Sequence, residues 1–494
     1  MRATSESRRR QARPRFRPGT VAVVGLGLTL AVTSCGGGST SGPSSTTSST
    51  APGSTSPPTA PGSTTTTAGT PAGSWTTYGG NAAHSSLDPT DPPRTAAPAH
   101  LWTSPTLDGA VYGEPLLWQG SVYVGTENNT VYALSGADGT IEWKSHLASP
   151  VDGGTLPCGN ITPVGITSTM VLDPATGILY ASAEVETGGG VGHELYALST
   201  TSRGVIWDRD LDQPGWEADA QLQRPALALD DGRVLVGFGG NYGDCNRYHG
   251  WVVGVPASGT GDLLTYRVPT ANEGAIWAPG GIVVDGAGNV WVATGNGSAS
   301  SGQAFDHGDA VIELSPTLSE LQVFAPSDWA QDNEQDLDLG STAPVLTADG
   351  QVFEVGKNAT GFLLSATHLG GVGGQETSLD TCFSSGAVAY ASPDLYVPCS
   401  NDGSVAQVVE GPGTLRRGWT WKAPGGSVWS PTVAGGLVWV VSDSGPTLFA
   451  VDTSTGTTRF RTTLATGTPP HFVGVTAAGG LILVAGTKAV EAFR

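Results

Sequence analysis

The chain repeats one pattern of strand-forming residues, and that repeat constrains its fold more than any bulk property does. The clearest copy spans Val122 to Trp143: an apolar run, a polar turn, then Val131-Tyr132-Ala133-Leu134, an Asp138-Gly139 turn and a closing Trp. A second copy runs from Ile178 to Trp207 around Leu195-Tyr196-Ala197-Leu198, and a third from Leu437 to Phe460 around Leu448-Phe449-Ala450-Val451. Recurrence at roughly 40–60 residues marks a repeat architecture, in which no single unit can bury its own apolar face. The apolar runs are short and bounded by Gly, Asp, Asn and Pro, as strands and turns are. No window sustains a helical period.

The expected fold is therefore all-β, a β-propeller of eight four-stranded blades, with seven as the alternative count. Blades are expected near 109–147, 148–212, 213–270, 271–329, 330–374, 375–424, 425–467 and 468–494. The last holds three strands, Phe472–Val475, Leu481–Val484 and Val490–Phe493. A fourth is expected from the N-terminal stretch His100–Pro105, closing the ring without an open sheet edge. The repeat tryptophans Trp143, Trp207 and Trp421 are expected to dock one blade on the next.

Three segments precede or make up this domain. Met1–Arg17 carries seven Arg and one Glu, and Thr20–Thr33 is apolar but too short to span a bilayer as a helix. Together they read as an export signal over residues 1–34. The stretch ends Ala31-Val-Thr-Ser-Cys35, small residues before a Cys, and this resembles a bacterial lipobox in which Cys35 is lipidated. Residues 35–74 are almost purely Ser, Thr, Gly, Pro and Ala, the composition of a flexible tether. Residues 75–494 form the propeller. The expected location is extracytoplasmic, with membrane attachment through the N-terminal lipid only, and the expected state is monomeric.

Charge narrows the partners. Residues 1–34 hold seven basic residues and one acid, so their removal takes the net charge from −20 to −26. So acidic a chain is a poor match for nucleic acid or for anionic lipid. Cys158, Cys245, Cys382 and Cys399 remain, an even number that reads as disulfides in an exported protein. Three pairings exist; Cys382–Cys399 within one hairpin and Cys158–Cys245 between neighbouring repeats are favoured. No spacing among the eight His suggests a zinc site.

In a four-stranded blade the linker before strand one and the loop between strands two and three open on the same face. Unusual residues in those two loop classes should therefore converge around the axis. They include Trp277 before the first strand of blade 4, Asn296 after its second strand, and Asp309 at the end of the loop that follows. They also include Asp336 and Asp338 at the start of blade 5, Lys357 after that blade's second strand, and Trp429 before blade 7.

The Tyr-Ala-Leu runs with Gly-x-x-x-Trp endings resemble the pyrroloquinoline quinone (PQQ) repeat. Trp277 to Ala366 further resembles the quinoprotein alcohol dehydrogenases, and Trp75-Thr-Thr-Tyr-Gly-Gly-Asn81 resembles that family's start. The resemblance implies Trp277 under the quinone, Asn296 and Asp309 at Ca²⁺, and Asp309 as the catalytic carboxylate. It also implies Lys357 at the quinone oxygen, with Trp429 and Asp338 lining the cofactor site. An indole stacks on a planar quinone, and Ca²⁺ takes hard oxygen ligands and polarises a carbonyl. The family's vicinal Cys-Cys is missing. Where a Ca²⁺-binding Glu is expected after Val234–Phe238, only Asn241 and Asp244 stand as substitutes. Before Pro115, Tyr112 stands where another Glu is expected, with Glu114 two residues on. Two functions follow as expectations: a PQQ- and calcium-dependent dehydrogenase of an alcohol, polyol or sugar, or a non-catalytic propeller that scaffolds envelope proteins or binds a ligand.

Overall fold

The computed structural model describes residues 73–443 and 445–494; the expected leader, Cys35 and nearly all of the tether lie outside the described residues. Eight sheets follow one another along the chain, each built on four antiparallel strands. Blade 1 comprises Leu116–Trp118, Ser121–Gly125, Thr130–Ser135 and Ile141–His146. Its first three strands are buried almost throughout, whereas the fourth is mostly exposed. Strand one thus lies innermost and strand four forms the rim. The first strands of neighbouring blades touch, blade 8 against blade 1 included. The result is an eight-bladed β-propeller. Blade 8 consists of Val475–Ala478, Leu481–Ala485 and Val490–Phe493, with His100–Thr103 paired on its outer edge. No described helix is long and apolar enough to cross a membrane.

Three local features depart from the sequence expectation. The first strand of blade 8 begins at Val475, not Phe472, because Phe472 takes a left-handed φ of 67° that breaks the extended chain. A seven-residue helix, Trp329–Gln335, precedes blade 5; two turns are too few to leave a periodic signature. Three blades carry a fifth strand: in blade 3 Gln221–Leu222 pairs antiparallel with Arg233–Gly240, and in two others the addition is short and parallel. Gly371–Val372 pairs with the rim strand Glu320–Ala325 of blade 4, and Leu87–Asp88 with the inner strand Thr432–Ala434 of blade 7.

Blades dock through indoles laid on glycines. Trp102 on the rim of blade 8 covers Gly139 of blade 1, Trp207 of blade 2 covers Gly259 of blade 3, and Trp419 of blade 6 covers Gly456 of blade 7. A Cβ at these glycines would meet the ring at 2.5–2.6 Å. All three also hold positive φ, 72°, 78° and 65°, so turn geometry and packing both demand Gly. Trp102 Nε1 donates to Gly136 O at 3.0 Å and Trp419 Nε1 to Thr453 O at 2.9 Å, satisfying the polar edge of each ring. Trp421 docks on blade 7 as expected, through Thr458 Oγ1 and the Phe449 ring, and Trp419 adds the indole that covers the glycine. Both favoured disulfides, Cys158–Cys245 and Cys382–Cys399, are present.

One end of the axis is stoppered by the chain itself. Trp75 pairs with Leu117 of blade 1, and Leu172 of blade 2 donates to Thr76 O at 2.8 Å. Val284 of blade 4, Tyr390 of blade 6 and Val433 of blade 7 donate to Ala82, Ser85 and Ser86 carbonyls at 2.8–3.0 Å. Arg94 reaches Gly480 O of blade 8. Tyr78 is buried at the centre with Ala226 and Ala387. These contacts involve the middles and far ends of the inner strands, so the plug lies opposite the linker face. Its anchor is Glu114, whose Oε2 accepts from Trp75 Nε1 (3.1 Å) and Gly79 N (2.9 Å).

Two outcomes follow. Gly259→Val should lower stability by about 2–4 kcal/mol, since it adds both left-handed strain and an overpacked ring. A urea titration with an unchanged m-value would measure it. Burial pushes the Glu114 carboxyl up from 4.5 to about 8. The native state then holds a proton that the unfolded chain releases, so this group's share of stability is lost as pH rises from about 4.5 through about 8. Glu114→Gln should flatten the pH dependence of the unfolding midpoint across that window, and an unchanged slope would refute the assignment.

Candidate functional site

On the linker face six of the expected residues come together. Gly295 lets the chain pass close to Asp338, since a Cβ there would collide with the Asp338 carboxylate and lie 3.1 Å from Trp277 Nε1. Asp338 Oδ1 accepts from Asn296 N at 2.8 Å, and its other oxygen is ion-paired with Lys357. Lys357 Nζ also bonds Asp336 Oδ1 at 2.8 Å and stands 5.6 Å from the centre of the Trp277 ring. Asn296 Nδ2 reaches the same Asp336 oxygen at 3.1 Å. Asp309 lies one step behind, fully buried, with Oδ1 accepting from Leu339 N at 2.9 Å.

The electrostatics follow from this packing. Burial draws the Lys357 ammonium down, but Asp338 and Asp336 outweigh it, and the net shift is upward. Lys357 is therefore a held cation. Burial, and after it the neighbouring Asp338 charge, push the Asp309 carboxyl well above its ordinary value.

The short helix Trp329–Gln335, which the sequence pattern did not reveal, positions much of this. It ends at Asp336 in a left-handed conformation that carries the carboxylate to Lys357. Its Asn333 accepts from Gly297 N at 2.8 Å, and its Asp332 accepts from Asn358 Nδ2 at 3.0 Å. The helix thus clamps the Asn296 turn to the Lys357 turn.

The remaining expected residues sit elsewhere. Asn241 donates its amide to Asp219 O at 2.9 Å, and Asp244 accepts from Tyr248 Oη at 2.6 Å. Trp429 is buried against His471 and Phe472, with ring centres at 5.2 and 5.3 Å. Phe472 also meets Trp277 at 5.8 Å and the buried Arg224 guanidinium at 5.8 Å. Arg224 is pinned to the carbonyls of Thr167 and His471. Side chains from blades 3, 4, 7 and 8 therefore meet at one phenyl ring. Sequence reasoning missed Phe472 and Arg224; both lie in linkers, the loop class expected to face the axis.

These residues do not fit a Ca²⁺–PQQ pair. The cation meant for the quinone is occupied by two carboxylates, and Phe472 and Lys357 already lie against Trp277. Asn296 Oδ1 and Asp309 Oδ2 are buried acceptors without a partner, but two oxygens fall short of the roughly six to eight that Ca²⁺ takes. Among the described residues no group of three or more His, Cys, Asp or Glu is placed to hold a metal ion. The Cys158–Cys245 bond joins residues far apart in sequence, unlike a vicinal pair.

An eight-bladed ring with these blade sequences is a propeller of the PQQ-repeat type. A family described as outer membrane protein assembly factor BamB matches residues 99–358, more than half of the chain, and the chain belongs to that family. No curated protein matches it. Among solved structures, the quinohemoprotein alcohol dehydrogenase of Comamonas testosteroni aligns with a TM-score of 0.64 at 14% identity, over 85% of this chain and 80% of the other. A europium-containing methanol dehydrogenase aligns at 0.63 and 14%, over 84% and 90%. BamB from Moraxella catarrhalis aligns at 0.56 and 13%, over 80% and 99%. At these identities the likeness is one of fold.

Lys357→Met should destabilise the chain by about 2–4 kcal/mol, because it leaves the Asp338 carboxylate buried and unpaired. Lys357→Met combined with Asp338→Asn should recover most of that loss. Chemical denaturation of the three variants measures it; an equal or larger loss in the double variant would remove the pair from the account.

Proposed function

We propose that this chain is a non-catalytic, exported propeller, anchored through a lipid on Cys35, that docks proteins of the cell envelope. The observation that carries this reading is the internal pairing at the axis. Lys357 is paired with Asp336 and Asp338, both of which also accept from Asn296, and Phe472 packs on Trp277 with Trp429 against it in turn. Asp309, the expected catalytic carboxylate, is fully buried, with Oδ1 accepting from Leu339 N. Such a centre supports a rigid platform better than redox chemistry. The family description as an assembly factor agrees with this reading. The acidic composition, with net charge −20, favours protein partners over nucleic acid. The Ala31-Val-Thr-Ser-Cys35 sequence and the Ser/Thr/Gly/Pro stretch after it support the anchor and its tether.

Reconstitution tests the reading directly. The purified full chain, supplied with PQQ and either Ca²⁺ or a lanthanide, should show no bound-quinone absorbance and no alcohol-dependent dye reduction. Stoichiometric quinone binding with turnover that Lys357→Met abolishes would overturn the proposal in favour of an alcohol, polyol or sugar dehydrogenase. Cys35→Ala should release the protein from membranes; retention would sink the lipid anchor.

A further inference from the structure

The rim of blades 6 and 7 breaks the acidic character of the chain. Sixteen Lys and Arg lie outside residues 1–34, and five of them sit on two neighbouring rim strands. Arg416, Arg417 and Lys422 belong to Thr414–Lys422 of blade 6, and Arg459 and Arg461 to Thr458–Thr463 of blade 7. Neither strand contains an Asp or Glu. Between them run two clefts of about 380 and 330 Å³ that share Pro424, Phe449 and Arg461, and so form one groove. Its floor is the Phe449 ring, fixed on Trp421 at 5.1 Å. Lys422 and Arg459 meet single acids, Asp402 at 3.7 Å and Asp452 at 3.1 Å. Arg461 has no ion pair among the described residues.

The groove also has a backbone wall. Thr458–Thr463 pairs with Thr447–Asp452 on one side, and no described strand covers its other side. Such an edge presents unpaired N–H and C=O groups and serves as a template for another strand. This ring already adds strands in that way, since Gly371–Val372 lies along the rim of blade 4.

We propose that the rim of blade 7 takes an extended acidic segment of a partner protein as a fifth strand. Residues two apart on a strand share a face. Carboxylates along the segment would meet Arg461 on the regular strand and Arg459 at the bulge beside Thr458, while small apolar residues settle over Phe449 and Pro424. Main-chain bonds supply affinity and the arginines supply selection by charge. This assignment deepens the docking reading and rests on it, but it uses none of the axial residues.

A fluorescent peptide of about twelve residues, alternating Glu with Val or Thr, titrated into the full chain, tests it. Binding should weaken about tenfold in the Arg459→Gln, Arg461→Gln double variant, which sets no new carboxylate against Asp452, and its melting curve separates lost binding from lost fold. A peptide with a central Pro should lose binding to a similar extent, because it cannot continue the ladder. Amide exchange should slow at Thr458–Thr463 when peptide is bound. No binding at high micromolar peptide, protection confined to other strands, or equal binding of the Pro peptide, polyphosphate or anionic vesicles would overturn the proposal. Dimerisation of the chain through this edge without peptide would overturn it too. Those failures leave the docking reading standing, whereas alcohol turnover with PQQ would fail that reading and leave the peptide result unaffected.

Discussion

An indole lying flat on a glycine is the contact on which this ring depends. Each blade is a twisted sheet with two apolar faces, and it becomes stable only when neighbours cover both. Trp102, Trp207 and Trp419 make that cover specific, because each ring fits a turn that only Gly can form. The ring nitrogens of Trp102 and Trp419 then find a carbonyl on the next blade, so register as well as contact is set. The repeat in the sequence carries the trace of this geometry: a turn glycine and a rim tryptophan meet at three of the eight junctions, blade 8 to 1, 2 to 3 and 6 to 7.

Much of the fold was legible for that reason. Blade number, blade limits and both disulfides follow from strand periodicity, turn residues and cysteine spacing. What the pattern hid is where chemistry departs from the repeat. Phe472 reads as the start of a strand, yet its left-handed backbone swings the ring to the axis. Trp421 matches the repeat, and it does bond blade 7, but the indole laid on the turn glycine there is that of Trp419. A seven-residue helix is too short to register, though it carries Asp332 and Asn333 to the centre of the site.

The candidate site was half legible. Loop class alone brings Trp277, Asn296, Asp309, Asp338 and Lys357 to one face, and that placement needs only strand alternation. Their pairing with one another is not written in one dimension. Whether a lysine meets a ligand or two aspartates depends on a few ångströms of loop path, here set by Gly295 and by the cap at Asp336. The same five residues would read identically in a redox centre and in a self-satisfied hub. Only the hydrogen-bond partners separate the two.

The plug at the far end of the axis bears on the order in which this molecule is made. Residues 75–94 are synthesised before any blade, yet their backbone partners lie in blades 1, 2, 4, 6, 7 and 8. Early blades can form local hairpins, but the hub remains without both Tyr390 and Val433 until nearly nine tenths of the chain exists. Contacts of such long sequence separation are the slow ones. Closure of the hub therefore waits for the last blades. A chain cut short before blade 7 would leave Ser86 and Arg94 without their partners in blades 7 and 8.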